Sequence, residues 1–416
     1  MSLVQRRLIQ LAASLACGLM AHAPVHADAN PYYFGGSLAL NHVSNIYRTS
    51  AAPNDDNVAT ASLLAGINQT LGRQRLFADA SINTNRYSKS SDLNYVGYTL
   101  KGGLDWSTVE RLSGTISVNN SRNLSTYNER GTTQIRKQNI EDNKQLDGVV
   151  RLGLVTRFSL EAGAGYRTRS FSASEYDAYE FSQNRYSLGL VYQASPDLRL
   201  GVAGRLTRDH YPAYSREGLV LINGKPVLVS IPVEAREFER KDLDFTGRWV
   251  LSGASSLDGR ISTGRSYAKA GGGNDFSGVT GALTWNWQPT AKLTVSSTIS
   301  RDTGLESSFI NANTSADRDR LSNALQVNAN YELTGKIFLN AGISIVNSDA
   351  RNSTQTSSVD EFDRDKAFNL GLRWQYSRGI TLGCQYSKSS RDSDSARQIY
   401  AYDASNYGCY GQIILY

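Results

Sequence analysis

The sequence predicts an all-β chain, a transmembrane, antiparallel, up-and-down β-barrel of about eighteen strands. Three observations predict it. Apolar and polar residues alternate over segments of roughly ten to fifteen residues. Short turns alternate with longer polar loops, and the chain carries an export leader at one end and an aromatic-terminated strand at the other.

Residues 1–27 read as a cleaved signal peptide. Arg6 and Arg7 form its positive start, Leu8 to Ala21 is mostly apolar, and Val25-His26-Ala27 fits a small-x-small cleavage site, so the mature chain is expected to begin at Asp28. The apolar stretch, about fourteen residues, is too short to span a bilayer as a helix. Lipid attachment at Cys17 is disfavoured by Ser14, which stands where a lipobox wants an aliphatic residue. Residues 28–416 are expected to form one barrel domain in the outer membrane of a Gram-negative bacterium.

Composition supports this. The chain holds 23 tyrosines but only 2 methionines, 8 prolines and 3 cysteines, and its mean hydropathy is −0.39. Beyond the leader, no apolar run reaches the roughly 18 residues of a transmembrane helix. A polar average with frequent aromatics suits strands that are wet on one side. Loss of Arg6 and Arg7 takes the formal charge from +6 to +4, too little for a nucleic-acid binder.

The alternation is explicit. Phe158, Leu160, Ala162, Ala164 and Tyr166 interleave with Arg157, Ser159, Glu161, Gly163 and Arg167. The same split recurs at Leu198, Leu200 and Val202, at Ile337 through Ile345, and at Phe368 through Tyr376. Short turns are expected near 72–73, 108–110, 156–157, 195–197, 252–255, 289–292, 334–336 and 377–379. Longer loops are expected at 48–57, 88–93, 126–142, 172–183, 212–240, 270–275, 306–318, 351–364 and 391–404. Eight turns and nine loops join eighteen strands and leave both chain ends on one side. Trp106, Tyr192, Trp249, Trp285, Trp287, Tyr331 and Trp374 fall near strand ends, as interfacial girdles require. The final heptad, with Tyr410, Gly411, Ile414 and Tyr416, has the pattern of the terminal strand signal read by the barrel-assembly machinery.

Parity assigns the faces. Lys101, Arg151, Arg167, Arg169, Arg185, Arg199, Arg205, Arg248, Arg260 and Arg373 are expected to line the lumen. Asp79, Asp105, Asp147, Glu161, Asp242, Asp244, Asp258 and Glu332 are expected beside them. The cations concentrate on the sixth to eleventh strands, where they could guide an anionic polymer or simply pair with the acids. Within 212–240, Leu219 to Ile222, Asn223-Gly224 and Val227 to Val229 read as a ribbon with an Asn-Gly turn, able to restrict the mouth or extend outward.

Other chemistry finds no pattern. His42 and His210 have no paired nucleophile, Gly271-Gly272-Gly273 lacks the Lys-Ser/Thr of a phosphate cradle, and the acidic run Asp360, Glu361, Asp363, Asp365 lacks a calcium-loop glycine. No catalytic residue, metal or cofactor is expected. Parity puts Cys384 and Cys409 on opposite faces, as free thiols.

Two stretches go beyond general barrel grammar: Ser44-Asn45-Ile46-Tyr47-Arg48 at the end of the first strand, and Leu104-Asp105-Trp106 followed after a short turn by Leu112-Ser113-Gly114. With the chain length, they resemble the EpsL-type outer-membrane proteins of exosortase-associated exopolysaccharide biosynthesis operons. Ser44 departs from that pattern, where an acidic residue is expected. The resemblance implies a part in exopolysaccharide biosynthesis and export, with no catalytic residues to carry over. The expected activity is passage of an exopolysaccharide, anionic in character, through the outer membrane; the alternative is a general or substrate-selective diffusion porin. Expected partners are outer-membrane lipid and lipopolysaccharide, the assembly machinery, the glycan, and periplasmic or inner-membrane export components.

Overall fold

In the computed structural model, the described residues are 30–127, 135–155, 157–222, 225–270, 276–303, 320–354, 357–394 and 400–416. The expected leader, the 271–273 glycines and the 306–318 loop lie outside them. The chain forms β1 (Tyr32–Val43), β2 (Asp56–Leu71), β3 (Gln74–Tyr87), β4 (Tyr95–Ser107), β5 (Leu112–Leu124), β6 (Ile140–Val155) and β7 (Phe158–Phe171). There follow β8 (Phe181–Ser195), β9 (Leu198–Tyr211), β10 (Tyr214–Ile222), β11 (Lys225–Val233), β12 (Arg236–Ser252), β13 (Ser255–Ala270) and β14 (Phe276–Thr290). The last are β15 (Leu293–Thr303), β16 (Arg320–Thr334), β17 (Ile337–Thr354), β18 (Ser357–Gln375), β19 (Ile380–Ser393) and β20 (Tyr402–Leu415).

Eighteen of these strands make one closed antiparallel sheet, with β1 paired to both β2 and β20. β9 pairs with β12, and β10 and β11 pair only with each other. Closure gives every strand two neighbours, which is the condition for a sheet to sit in lipid. The strands run from 11 to 19 residues, and most exceed the roughly 9–11 that cross a bilayer. The longer ones therefore project beyond the membrane on the long-loop side.

One face of the sheet is apolar and open: Leu38 and Leu40 are each 70% exposed. Leaving such side chains in water would forfeit about 1.5–3 kcal/mol apiece, so this is the lipid face. On the other face side chains reach past their neighbouring strand, which only a concave surface allows. The Tyr33 hydroxyl on β1 donates to Asp79 on β3 at 2.6 Å, Arg185 on β8 donates to Asp147 on β6 at 2.7 Å, and Arg240 on β12 donates to Thr303 on β15 at 2.6 Å. All seven girdle aromatics share the lipid face's parity and lie toward the short-turn ends of their strands, with Trp285 and Trp287 stacked at 5.3 Å. An apolar outer band, an aromatic rim and a polar interior are the architecture of an outer-membrane barrel.

The structure corrects several boundaries. β6 begins at Ile140 and β12 at Arg236, inside the loops expected at 126–142 and 212–240. In place of the loop expected at 351–364, β17 and β18 stay paired up to Thr354↔Ser357. The loops expected at 48–57, 172–183 and 391–404 are trimmed likewise, since β2 starts at Asp56, β8 starts at Phe181 and β19 runs to Ser393. Polar residues read as loop, yet a strand pair above the membrane keeps its backbone bonds whatever its side chains are.

The cysteines are a larger correction. Cys384 and Cys409 are joined in a disulfide. They are direct register partners on β19 and β20, and partners across an antiparallel pair always share a face. Their neighbours Leu382, Tyr386, Tyr407 and Ile413 are exposed, so the bridge lies on the lipid side. It ties β20 to β19, while the other edge of β20 closes on β1. Cys384→Ser in detergent should lower the stability of the folded barrel by about 2–4 kcal/mol, the usual worth of such a cross-link. The check is the temperature at which gel mobility shifts from folded to unfolded, with and without reductant; a reductant-insensitive wild type would refute the bridge.

Candidate functional site

All ten residues expected in the lumen stand on the concave face: Lys101 on β4, Arg151 on β6, Arg167 and Arg169 on β7, Arg185 on β8, Arg199 and Arg205 on β9, Arg248 on β12, Arg260 on β13 and Arg373 on β18. Most are engaged by carboxylates. Arg169 pairs with Glu141 at 2.8 Å, Arg185 with Asp147 at 2.7 Å, and Arg151 with Glu161 at 3.2 Å, and Arg199 shares Glu161. Arg205 donates to Asp244 at 2.8 Å and lies 3.2 Å from Asp242; Arg260 lies 3.9 Å from Asp244, and Arg248 3.7 Å from Asp258. The rest are held differently. Arg167 lies over the Phe181 ring at 5.5 Å and Arg373 over Phe338 at 4.5 Å. Lys101 stands in register with Asp79, which already accepts the Tyr33 hydroxyl.

Small residues make room for these pairs. A Cβ on Gly165 would meet Asp147 Oδ1 at 2.6 Å and the Arg185 guanidinium at 3.4 Å. Two members of the network were not expected. Arg240, fully buried, holds Asp242 at 2.9 Å and reaches Thr280 and Thr303. Glu141 clamps Arg169. Both lie in segments that polarity had assigned to loops, where no face is assigned; the alternation from Phe238 to Asp244 was the available signal.

Depth divides the lumen into two zones. On β12 the side chain of Arg248, near the short turns, is 65% exposed, whereas that of Arg240, near the long loops, is 1% exposed. β9 repeats the trend, from the open Arg199 to the buried Arg205, Thr207, Asp209 and Tyr211. β13 does so from Asp258 to the buried Arg260, Ser262 and Ser266. The short-turn side, periplasmic in such barrels, is thus a wet vestibule. Toward the long loops, the inner wall of β9, β12 and β13 is instead lined by buried, paired charge.

A second feature lies above it. Ile46, Tyr47, Leu93, Tyr127, Ile135, Ala173 and Tyr176, from the segments after β1, β3, β5 and β7, form a small apolar core. Val43, Tyr87 and Phe171 pack against it from lumen-facing positions, so it sits over the mouth on the inner side of the wall. Tyr47 and Tyr127 meet edge to face at 5.0 Å, and Tyr127 donates to the Lys137 carbonyl at 2.7 Å. In the same cap, burial pushes the Glu175 carboxyl up, but the hydrogen bond and charge of Lys137 and a backbone hydrogen bond together outweigh it and hold the group below its ordinary value. The anchor is Asp56, fully buried, whose carboxylate accepts the N–H groups of Asn57, Ser88, Lys89 and Ser90 at 2.7–3.1 Å.

No protein-family profile matches the chain, and no curated protein matches it. Solved structures do resemble it. OpdK of Pseudomonas aeruginosa, solved with vanillate, is 12% identical over 92% of this chain and 99% of its own, with a TM-score of 0.47. OccK2 (OpdF) of the same organism is 11% identical over 92% and 97%, at 0.48. The siderophore receptor PiuA of Acinetobacter baumannii is 9% identical over 94% and 82%, also at 0.48. Likeness at this level concerns chain topology and says nothing of cargo.

The β10–β11 ribbon is present, with its Asn223-Gly224 turn outside the described residues. Val227 and Leu228, on its two faces, are both exposed. The described residues at its tip, Lys225 to Leu228, are exposed. Among the terminal signal residues, Gly411 has lipid-side parity, Tyr410 and Ile414 have lumen parity, and Tyr416 lies past the strand end beneath Arg378 at 5.3 Å. His42 sits beside Asn57 and Tyr407, and His210 beside Glu237. Of the acidic run, Asp365 pairs with Arg391 at 2.7 Å and Asp363 accepts the Ser393 hydroxyl, while the side chains of Asp360 and Glu361 lie outside the described ones.

Asp56→Asn leaves one acceptor oxygen for donors that now share two, at a cost of about 1–3 kcal/mol to the cap. Amides 88–90 should then exchange with deuterium at least about tenfold faster. Unchanged protection there would show that Asp56 does not anchor the cap.

Proposed function

We propose that the protein is an outer-membrane channel through which an exopolysaccharide leaves the cell. The observation that carries this reading is the wet vestibule on the short-turn side. Its wall presents Asn286, Thr298, Asn328, Asn330, Asn340 and Asn369. Amide and hydroxyl groups both donate and accept, as sugar hydroxyls require. A barrel of this strand number is wide enough to hold an aqueous path. Arg–carboxylate pairing removes most of the positive field, so recognition rests mainly on hydroxyl chemistry. Acidic groups on the glycan would meet Lys101, Arg248 and Arg373, three cations of the exposed zone. Export components in the periplasm or inner membrane would supply both polymer and driving force.

A diffusion porin for small solutes is the second reading. It is favoured by the outer half, whose buried ion pairs suit a small solute better than a chain. A clean deletion separates the two: an exporter's loss should abolish secreted and cell-bound glycan, while normal secretion would leave the porin reading. In planar bilayers, joint reversal of Lys101, Arg248 and Arg373 to Glu should shift the reversal potential toward cation selectivity. An unmoved potential would mean that these residues do not line the ion path.

A further inference from the structure

We propose that the outer wall of β9, β12 and β13 carries a binding site for a phosphorylated glycolipid of the surrounding leaflet. Near the long-loop ends of these strands, Arg208, Lys241, Arg265 and Lys269 all have lipid-side parity. Glu239 lies among them with a side chain only 8% exposed, because three cations fold over it: Lys269 at 2.7 Å, Arg208 at 3.0 Å and Lys241 at 3.4 Å. Arg265 is the register partner of Lys241. Four cations against one carboxylate (4 − 1) leave a formal surplus of +3.

The surroundings do not cancel it. Glu237, at the upper margin 3.4 Å from His210, lowers the surplus to +2 (3 − 1). The flanking strands offer Asn184 on β8 and Ser277 on β14. On other strands of the outer wall, three cations are each matched by one acid: Arg122 with Asp142 at 3.1 Å, Lys366 with Asp392 at 2.7 Å and Lys388 with Asp403 at 3.1 Å. Directly below the surplus, toward the bilayer, the same face becomes Leu243, Phe245 and Ile261, which are 43%, 49% and 60% exposed. A ligand complementary to this surface has an anionic head and acyl chains. Phosphate fits the head because cations on adjacent strands, about 4.8 Å apart, can share its oxygens.

The test uses the full-length protein in neutral detergent, titrated with bisphosphorylated lipid A and read by native mass spectrometry. Arg208→Ala/Lys241→Ala/Lys269→Ala should weaken binding at least tenfold, and Lys366→Ala/Lys388→Ala should not. Since the triple variant uncovers Glu239, Arg265→Glu, which leaves that cluster intact, should also weaken binding at least tenfold. The dephosphorylated lipid should bind as poorly as the variants do, and millimolar inorganic phosphate should not displace the intact lipid. Equal binding by wild type and both patch variants, equal binding of the dephosphorylated lipid, or displacement by free phosphate would each overturn the proposal.

Discussion

The rest of the structure depends on one constraint: in lipid, each strand's backbone must find partners on both sides. The seam satisfies it through the ladder from Phe34↔Leu415 to Val43↔Asn406, which joins the two ends of the chain. Close packing is built in there. Tyr410 lies where a Cβ on Gly383 would come within 2.6 Å of its ring, and Tyr33 covers Gly66 in the same way. The second junction, β9 to β12, lets β10 and β11 leave the ring without opening it. A hairpin that pairs only with itself has two unpaired edges. It can stand only above the membrane.

Alternation made the ring legible in the sequence because lipid and water impose opposite demands on successive residues of every strand. The wall, the short turns and the ten lumen cations all follow from that parity. What failed has a different physics. Polarity does not distinguish a loop from a strand pair standing in water, which is why the paired ends of β17 and β18, and with them the first turn of β12, read as loop. Arg240 was lost with that stretch. The cysteines failed through a count. Cys384 and Cys409 are register partners, so placing them on opposite faces put the parity of one of the two strands out by one. A slip of one turns every side chain over.

The two short motifs acquire mechanical meanings. Asn45 holds the first outer segment closed by accepting the Thr49 amide and donating to the carbonyls of Thr49 and Asp403, which ties it to the seam strand. Ile46 and Tyr47 then enter the cap core, and Arg48 donates to the Tyr402 hydroxyl at 3.2 Å. In the second motif, a Cβ on Gly114 would meet the Trp106 ring at 2.6 Å, and Asp105 accepts the Thr115 hydroxyl at 2.9 Å. These residues position wall and cap.

On the proposed reading, the charge-lined outer half is better understood as a selective barrier than as a source of strength. Burying Arg205, Arg240, Arg260, Asp242 and Asp244 removes five charges from water, and the attraction within such a group does little more than offset that cost. Apolar side chains of similar volume would seal the lumen with no desolvation cost. A charged seal differs in what can open it. A hydrated or hydroxyl-rich cargo can exchange hydrogen bonds with each arginine and carboxylate in turn, whereas an apolar plug offers it nothing in return for displacement. On the proposed reading, such a network is one a polar cargo could cross in small steps, each breaking a bond only as another forms.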